Sequence, residues 1–156
     1  MTINQCSKIG RVFKISISPQ KGQKKMNIPV ATIRQGCGID GDAHSESTRP
    51  LSLLPLESFA KLWHPRLQLN PGDFAENITT VGLDFSQFAV GSRLMLGNSI
   101  EIEITQIGKI CHNGCIIREL AGDCIMPREG VFAKIISGGE LKEGDPIRMV
   151  SSYDYA

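Results

Sequence analysis

The segment from Arg93 to Ile107 constrains the fold most strongly, because it contains two strand patterns joined by a hairpin dipeptide. Isoleucines at positions 100, 102 and 104 alternate with polar residues, which is typical of a strand that buries one face. Gly97-Asn98 separates this strand, predicted over 99–107, from a shorter one at 93–96, and such dipeptides favour tight hairpin turns. An isolated hairpin is marginally stable and exposes its edges. The segment therefore predicts an antiparallel sheet as the frame of the protein.

Strand patterns recur along the rest of the chain, whereas helical patterns are few and short. Proline is tolerated in the first turn of a helix, so a short helix is predicted near Pro55. The fold class is therefore mainly β with a few short helices, and a closed or partly closed β-barrel would remove exposed strand edges. Further strands are predicted at 8–18, 26–33, 51–54, 78–80 and 130–136, with a last edge strand after Pro146.

Length and composition predict one ordinary globular domain spanning residues 1–156, with its core at roughly 8–150. The formal net charge of +1 leaves no global basic surface, so we expect no nucleic-acid partner. No apolar stretch is long enough to span a membrane and the N-terminus is too polar for a secretory signal, so we expect a cytoplasmic protein with no membrane partner. In that compartment the five cysteines are expected to be thiols, ligands or nucleophiles rather than disulfides.

Side-chain chemistry is most concentrated between Gly108 and Arg128, GKICHNGCIIRELAGDCIMPR, which we name the thiol segment. It follows the strand predicted over 99–107. The thiolate is the nucleophilic and metal-binding form of cysteine, and nearby cations or helix N-termini stabilise it. The segment contains Cys111, His112, Cys115 and Cys124 beside the cations Lys109, Arg118 and Arg128.

Cys111 is the leading candidate within the thiol segment. Asn113 is a good N-cap, so a helix is predicted over 114–121. Cys111 would then lie just ahead of a helix N-terminus, where backbone N–H groups and the macrodipole favour an anion. Cys115 and Cys124 would be bystanders, co-ligands or resolving partners of this thiol.

A glycine-rich loop precedes the leucine-rich strand. Its sequence, QGCGIDGDAH from Gln35 to His44, combines three glycines with Asp40, Asp42 and His44 and predicts a functional loop, with an irregular turn as the alternative. Its glycine spacing does not match a dinucleotide-binding or P-loop fingerprint, so we do not expect nucleotide binding there. The lysine-rich stretch 21–25, ahead of this loop, is predicted to be solvated.

The segment from Asn70 to Thr80, NPGDFAENITT, carries Asp73, Glu76 and Asn77 into a strand. Two acids three residues apart could act as a general acid and base, but capping and turn hydrogen bonds use such residues more often. We therefore expect these side chains to orient the loop or to hydrogen-bond a ligand rather than to transfer protons.

Six phrases of the sequence point together to one family. They are GIDGDAH, SLLPLES, PGDFAENITTVGLDF, VGSRLMLGN, EITQIGKICHNGC and REGVFAKIISGGELKEGDPI. In this order, over roughly residues 8–150, they resemble the MOSC domain, which occurs at the C-terminus of molybdenum cofactor sulfurases and in small stand-alone proteins; such coverage is more specific than any single motif. The CH-x-x-C and GDCIMPREG phrases are similar to a bacterial branch, and we expect a stand-alone protein of that type.

The resemblance implies a barrel-like fold and a cysteine, here Cys111, that carries persulfide sulfur or ligates the metal of a pterin cofactor. It implies a molybdopterin-type cofactor of molybdenum or tungsten, bound transiently, no pyridoxal phosphate, and a possible sulfurtransferase-type activity. A cysteine desulfurase and molybdoenzymes or cofactor-synthesis proteins are the implied partners. Because the cofactor carries a phosphate, local cations are expected. The implied cofactor-binding residues are His44, Arg49, Asp73, Glu76, Asn77, Lys109 and Arg128.

The chain departs from that bacterial branch at one position. Thr48 precedes Arg49 where members of the branch often have a histidine. The role of that histidine is therefore either missing here or taken by His44.

Two other functions fit the same residues. Cysteine and histidine side chains are ligands that zinc prefers, so a non-catalytic zinc or redox module is one alternative, although adjacent residues seldom both reach one tetrahedral ion. A binding module that holds or hands over finished cofactor, without turnover, would need the same thiol and the same anion pocket. The zinc alternative would use Cys111, His112, Cys115 and Cys124.

Overall fold

Short strands make up most of the regular structure in the computed structural model, which describes residues 9–21, 23–61, 65–66, 68–108 and 129–150. The thiol segment after Gly108 lies outside the described residues, and so does the helix predicted over 114–121. Short 3₁₀ helices occur at Leu56–Lys61 and Phe85–Gln87, and no helix in the described ranges is long and apolar enough to cross a membrane. The strands are β1 (Ile9–Ile17), β2 (Met26–Ile28), β3 (Val30–Ile33), β4 (Leu51–Pro55), β5 (Ile78–Val81), β6 (Arg93–Leu96), β7 (Ile100–Ile107), β8 (Val131–Ser137), β9 (Gly139–Lys142) and β10 (Pro146–Met149).

Seven of the described strands close into a barrel. The order around it is β10, β6, β7, β8, β4, β5 and β1, and β1 pairs again with β10. Neighbouring strands are antiparallel, except that β4 and β5 run parallel. Closure gives every barrel strand two neighbours and so removes the exposed edges that invite aggregation. The prediction of a mainly β fold with a barrel is confirmed.

The edge position predicted for the last strand is wrong. β10 pairs with β6 through Ile147 and Leu96, and with β1 through Ile147 and Gly10. Pro146 is the first residue of β10, a position where a missing N–H is tolerated in any strand. The proline therefore marks where the strand begins and not whether the strand has a second neighbour.

Two strands replace the single strand predicted over 26–33. Pro29 lies between them and has no N–H to donate to a strand ladder. β2 continues the main sheet as a hairpin with β1, whereas β3 leaves it and pairs with β9. The helix predicted near Pro55 is a 3₁₀ helix, and Pro55 itself ends β4.

The hairpin predicted around Gly97-Asn98 is present and supplies part of the barrel core. β6 and β7 pair antiparallel on either side of the turn. Ile100, Ile102 and Ile104 are fully buried, as their alternation predicts. Leu94 and Leu96 of β6 are buried too, and inward residues from the other strands complete the core, among them Val12, Leu51, Leu53, Ile78, Val131, Ala133 and Ile147.

The strand directions divide the loops between two ends of the barrel. β4, β5, β7 and β10 end where β1, β6 and β8 begin. At this end the backbone N–H of Gly108 donates to the carbonyl of Gly130 at 2.7 Å, so the chain leaves the barrel after β7 and returns before β8 at one point. We name it the thiol end. The opposite end, the loop end, carries the loops that lead into β4 and β5.

Candidate functional site

A buried ion pair anchors the glycine-rich loop at the loop end. Nζ of Lys25 lies 2.6 Å from Oδ1 of Asp42, and both side chains are shielded from solvent. Burial alone raises the pKa of Asp42, but hydrogen bonds from Lys25 and from the Ser18 backbone N–H, together with the Lys25 charge, hold that pKa below its ordinary value. The prediction of a solvated stretch at 21–25 is therefore wrong for Lys25, whose burial the Asp42 carboxylate compensates.

His44 lies directly beside this ion pair. Its ring Nδ1 is 3.4 Å from Nζ of Lys25, and its backbone N–H donates to Oδ2 of Asp42 at 3.3 Å. The N–H of the preceding Ala43 donates to the Ser18 carbonyl at 2.8 Å, just after β1. His44 is half-buried, and its backbone and ring both contact the ion pair, while Ala43 fixes the loop to the end of β1.

Arg49 is exposed and carries a positive charge towards β8. The Cζ atom of its guanidinium lies 5.0 Å from the centroid of the Phe132 ring, which is within the range of a cation–π contact. Phe132 is the second residue of β8, two positions after Gly130, where the chain returns from the thiol segment. Arg49 therefore connects the loop before β4 with the strand that follows the thiol segment.

Glu76 is fully buried and shapes the turn before β5. Its carboxylate accepts hydrogen bonds from the backbone N–H groups of Gly72 and Phe74, at 2.9 and 3.2 Å, and from the Thr79 hydroxyl at 2.7 Å. Burial raises the pKa of Glu76 above its ordinary value, although these hydrogen bonds act in the opposite direction. All three donors are local, so Glu76 organises its own segment of chain.

Asn77 ties the start of β5 to two other strands. Its Oδ1 accepts the backbone N–H of Ser52 at 3.0 Å, and its Nδ2 donates to the Ser16 carbonyl at 3.1 Å. Asp73 accepts the backbone N–H of Asn70 at 2.9 Å within the same turn. These contacts orient the loop, which is one of the two roles expected for the three side chains. Their implied part in cofactor binding is not tested by these contacts and stays a prediction.

Lys25 joins the two loops at this end and was missed by sequence reasoning. Its backbone N–H donates to the Gly72 carbonyl at 3.0 Å, while its side chain holds the glycine-rich loop. Asp42 lies 17 residues away in sequence, and no local pattern marks a lysine that such a distant carboxylate will bury. The structure thereby groups four of the predicted residues at the loop end: His44, Asp73, Glu76 and Asn77.

Apart from these four and Arg49, the predicted site residues belong to the thiol segment and lie outside the described residues. Only the points where the segment joins β7 and β8 are described, at the end of the barrel opposite to the loop end. Within the described ranges, no three His, Cys, Asp or Glu side chains are grouped closely enough to hold a metal ion. The predicted site residues that these ranges leave out are Lys109, Cys111, His112, Cys115, Cys124 and Arg128.

A cleft of about 820 Å³ opens at the thiol end, beside the residues that flank the thiol segment. Phe85 and Phe88 contribute apolar surface to it, and Glu57, Asp84 and Glu129 contribute carboxylates. Two of these carboxylates accept described hydrogen bonds: Glu57 from the backbone N–H of Gly82 at 2.7 Å, and Glu129 from the Ser58 hydroxyl.

The family comparison covers most of this architecture. A family model described as the MOSC domain matches residues 40–148, a range that contains the end of the glycine-rich loop, the thiol segment and most of the barrel strands. No curated protein matches the chain significantly in sequence.

Solved structures of small proteins share the fold. The YuaD protein of Bacillus subtilis superposes with a TM-score of 0.72 at 17% identity, covering 90% of this chain and 95% of that one. YiiM of Geobacillus stearothermophilus gives a TM-score of 0.69 at 18% identity, covering 91% and 75% of the two chains. YiiM of Escherichia coli gives 0.64 at 20% identity, covering 90% and 70%. At such identities the likeness concerns the fold alone.

Proposed function

The chain belongs to the MOSC domain family, and on that premise we propose that it handles molybdenum cofactor or the sulfur that completes it. The family suggests a function related to this cofactor, and the finer roles below are our proposal. The main support for this proposal is the family match over residues 40–148, because this range contains both His44 and the proposed thiol, Cys111.

Cys111 is the proposed sulfur carrier. Its thiolate attacks the outer sulfur of a persulfide on a cysteine desulfurase; a new S–S bond forms, the donor's S–S bond breaks, and the donor cysteine leaves as a thiolate. The product is a persulfide on Cys111, and the exchange needs no external oxidant or reductant. Lys109 and Arg128 are proposed to favour the thiolate through their charge. The acceptor is a molybdoenzyme or a cofactor-synthesis protein.

A bound molybdopterin-type cofactor would supply a metal held by its dithiolate, and Cys111 is then proposed as a further ligand of that metal. Two described side chains have chemistry that fits the phosphate of such a cofactor. Arg49 is exposed, and its planar guanidinium can grip phosphate oxygens in a bidentate manner. His44 can add a ring N–H donor from a loop held by the barrel. Asp73, Glu76 and Asn77 are proposed to support these loops.

The contact between Arg49 and Phe132 supports this assignment. An exposed arginine ordinarily loses side-chain freedom when it binds an anion. Stacking on the Phe132 ring at 5.0 Å already restricts the guanidinium before any ligand arrives. A partly ordered cation reduces the entropy lost on binding and so favours an anion site.

Pterin carried by the purified protein tests the cofactor part of the proposal. The protein is produced in a host that makes molybdenum cofactor and in one blocked in its synthesis, and pterin is measured by fluorescence after oxidation. We expect pterin only from the competent host, and at least tenfold less with Arg49→Ala, which corresponds to losing about 1.4 kcal/mol of binding. Arg148→Ala, an exposed arginine of β10, is the matched control and should retain the pterin.

If the cofactor binds only transiently, it will be lost during purification. In a second experiment, cofactor released from a molybdoenzyme is therefore added to the pterin-free protein. Retention of the added pterin by the wild type, with loss in Arg49→Ala, would support the proposal. Equal pterin from both hosts, together with no retention of added cofactor, would overturn the binding role.

A further inference from the structure

The ammonium group of Lys25 faces three polar atoms at the loop end. They are Oδ1 of Asp42 at 2.6 Å, Nδ1 of His44 at 3.4 Å and the hydroxyl oxygen of Ser18 at 3.5 Å. A charged lysine has three N–H donors and no acceptor. The number of donors therefore equals the number of these neighbours, and each can take one proton of the ammonium if Nδ1 of His44 is unprotonated.

This geometry restricts the protonation of His44. A neutral imidazole carries its proton on Nδ1 or on Nε2, and only the unprotonated nitrogen can accept a hydrogen bond. A proton on Nδ1 would point at the Lys25 ammonium, with two donors facing each other at 3.4 Å. A doubly protonated ring would add a second positive charge there. The Asp42 carboxylate, which also belongs to the cluster, already pairs with Lys25 at 2.6 Å.

We propose that Lys25 is a positioning residue for His44: its ammonium, fixed by Asp42, donates to Nδ1 and keeps the imidazole neutral with its proton on Nε2. The ring N–H of His44 is then the one on Nε2. That donor suits an anionic or carbonyl oxygen of a ligand, such as a phosphate oxygen. The choice of ligand rests on the proposed function, whereas the protonation state rests on the cluster itself.

The ¹⁵N chemical shifts of the imidazole nitrogens test the inference in the ligand-free protein at neutral pH. The two nitrogens of a neutral ring have distinct shifts according to which one bears the proton, and a doubly protonated ring gives two similar ones. His44→Gln identifies the His44 signals among those of the three histidines. We expect Nδ1 to be the unprotonated nitrogen and Nε2 to be the protonated one. A proton on Nδ1, or a doubly protonated ring, would overturn the inference.

Substitution of Lys25 separates positioning from a merely structural role. Lys25→Gln keeps an amide donor towards Asp42 but removes the charge, and we expect the His44 signals to shift towards a mixture of the two tautomers. Ser18→Ala removes one neighbour of the ammonium, leaves its contact with His44, and should keep the wild-type pattern. Unchanged His44 shifts in a folded Lys25→Gln protein would contradict the role of Lys25. Should Lys25→Gln not fold, the wild-type and Ser18→Ala spectra still decide the tautomer.

Inorganic phosphate distinguishes this inference from the proposed function. We expect added phosphate to shift the Nε2–H signal of the wild type and to leave that of Arg49→Ala largely in place. An Nε2–H tautomer that does not respond to phosphate or to added cofactor would support the role of Lys25 and count against the cofactor role of His44.

Discussion

Buried polar side chains attach the loops of the loop end to the barrel. Lys25 and Asp42 form one attachment, and Asn77 forms another through Ser52 and Ser16. Removal of one partner leaves the other buried without compensation, which costs more than the net worth of the hydrogen bond. Single substitutions at these positions therefore report directly on how the loops are held.

Replacement of Asn77 tests this at one residue. Asn77→Ala removes the acceptor for the Ser52 N–H and the donor to the Ser16 carbonyl, so we expect the free energy of unfolding to fall by about 2–4 kcal/mol. Urea titration followed by circular dichroism measures the change. Glu140→Ala, at an exposed residue of β9, should stay within about 0.5 kcal/mol of the wild type. A similarly small effect for Asn77→Ala would contradict the attachment.

The contribution of Glu76 to the stability of the protein should decrease as the pH rises. Burial raises its pKa in the folded state above the ordinary value of 4.5, so the folded protein retains a proton that the unfolded chain has released. The stabilising contribution is fully present below the unfolded pKa and is lost as the pH rises through the raised folded pKa. Glu76→Gln does not titrate and should lack this component.

Urea unfolding of the wild type and Glu76→Gln, measured at several pH values from 4.5 upwards, gives the difference in unfolding free energy. We expect the wild type to lose stability relative to the variant as the pH increases. A wild type that gains stability relative to Glu76→Gln over this range would show that the pKa of Glu76 is lowered and not raised.

The role of a residue could be predicted from the sequence where its partners are close along the chain. Glu76 was expected to orient its loop or to hydrogen-bond a ligand, and the donors that serve the first role, Gly72, Phe74 and Thr79, all lie within four residues. The burial of Lys25 could not be predicted, because it depends on Asp42, which reaches it only through the folding of the barrel. Long-range electrostatic pairing leaves no periodic pattern in a sequence.

Strands, like single residues, could be predicted where neighbouring residues in the sequence specify them, and not where distant parts of the chain do. β6 coincides with its predicted range, and β7 lies within its predicted range, because a turn dipeptide and alternation specify a hairpin locally. The second neighbour of β10 depends on a strand far away in the sequence. So does the change of partner after Pro29, where β2 pairs with β1 but β3 pairs with β9. The first was predicted wrongly and the second was missed, although Pro29 marks the place where the ladder must stop.

The turn before β5 and the segment before β2 approach each other so closely that a side chain cannot fit between them. A Cβ atom added at Gly72 would lie 2.3 Å from the Lys25 carbonyl oxygen, and Gly72 has a φ of +98°. Gly72→Ala should therefore lower the free energy of unfolding by about 3 kcal/mol or more, because steric overlap adds to backbone strain.

Gly36 provides the matched control for Gly72. Its φ is +74°, but a Cβ atom there would meet nothing within 4 Å. Gly36→Ala should therefore cost about 1 kcal/mol from backbone strain alone. Equal losses in the two variants, measured by thermal or urea unfolding, would exclude the close approach at Gly72.

Because β10 is a barrel strand with a neighbour on each side, substitutions at its adjacent residues Ile147 and Arg148 should differ in their effect on stability. Ile147 is fully buried and pairs on both sides, whereas Arg148 is exposed. Ile147→Ala should lower the free energy of unfolding by about 2–5 kcal/mol through the cavity it leaves, and Arg148→Ala should change it by less than about 0.5 kcal/mol. Denaturant titration of both variants measures the contrast. A small effect at Ile147 would indicate that β10 is a dispensable edge.

At the scale of the whole molecule, the barrel separates the candidate groups. His44, Asp73, Glu76 and Asn77 lie at the loop end, whereas the chain leaves for the thiol segment at the other end, through Gly108 and Gly130. Among the predicted site residues that the structure describes, Arg49 contacts β8, the strand that follows the thiol segment, through the ring of Phe132. A function that combines Cys111 with the loop residues therefore has to connect groups that the barrel holds at opposite ends.

The fold class and the family could be predicted from the sequence because their motifs are distributed over the chain in a fixed order. Residues 40–148 match the family, and a closed barrel pairs the edges of the many short strands that the sequence pattern predicts. The proposed sulfur chemistry could not be derived in the same way. It depends on the exposure of one thiol and on the proteins it meets, and neither is written in strand periodicity.

Mass spectrometry of the intact protein tests the sulfur-carrier role of Cys111 most directly. The protein is incubated with a cysteine desulfurase and cysteine, and its mass is measured under non-reducing conditions. We expect an increase of about 32 Da, one sulfur atom, that thiol reductants remove. The adduct should be absent from Cys111→Ser and present in Cys115→Ser. No adduct on the wild type, or an adduct that persists in Cys111→Ser, would contradict the assignment of sulfur carriage to Cys111.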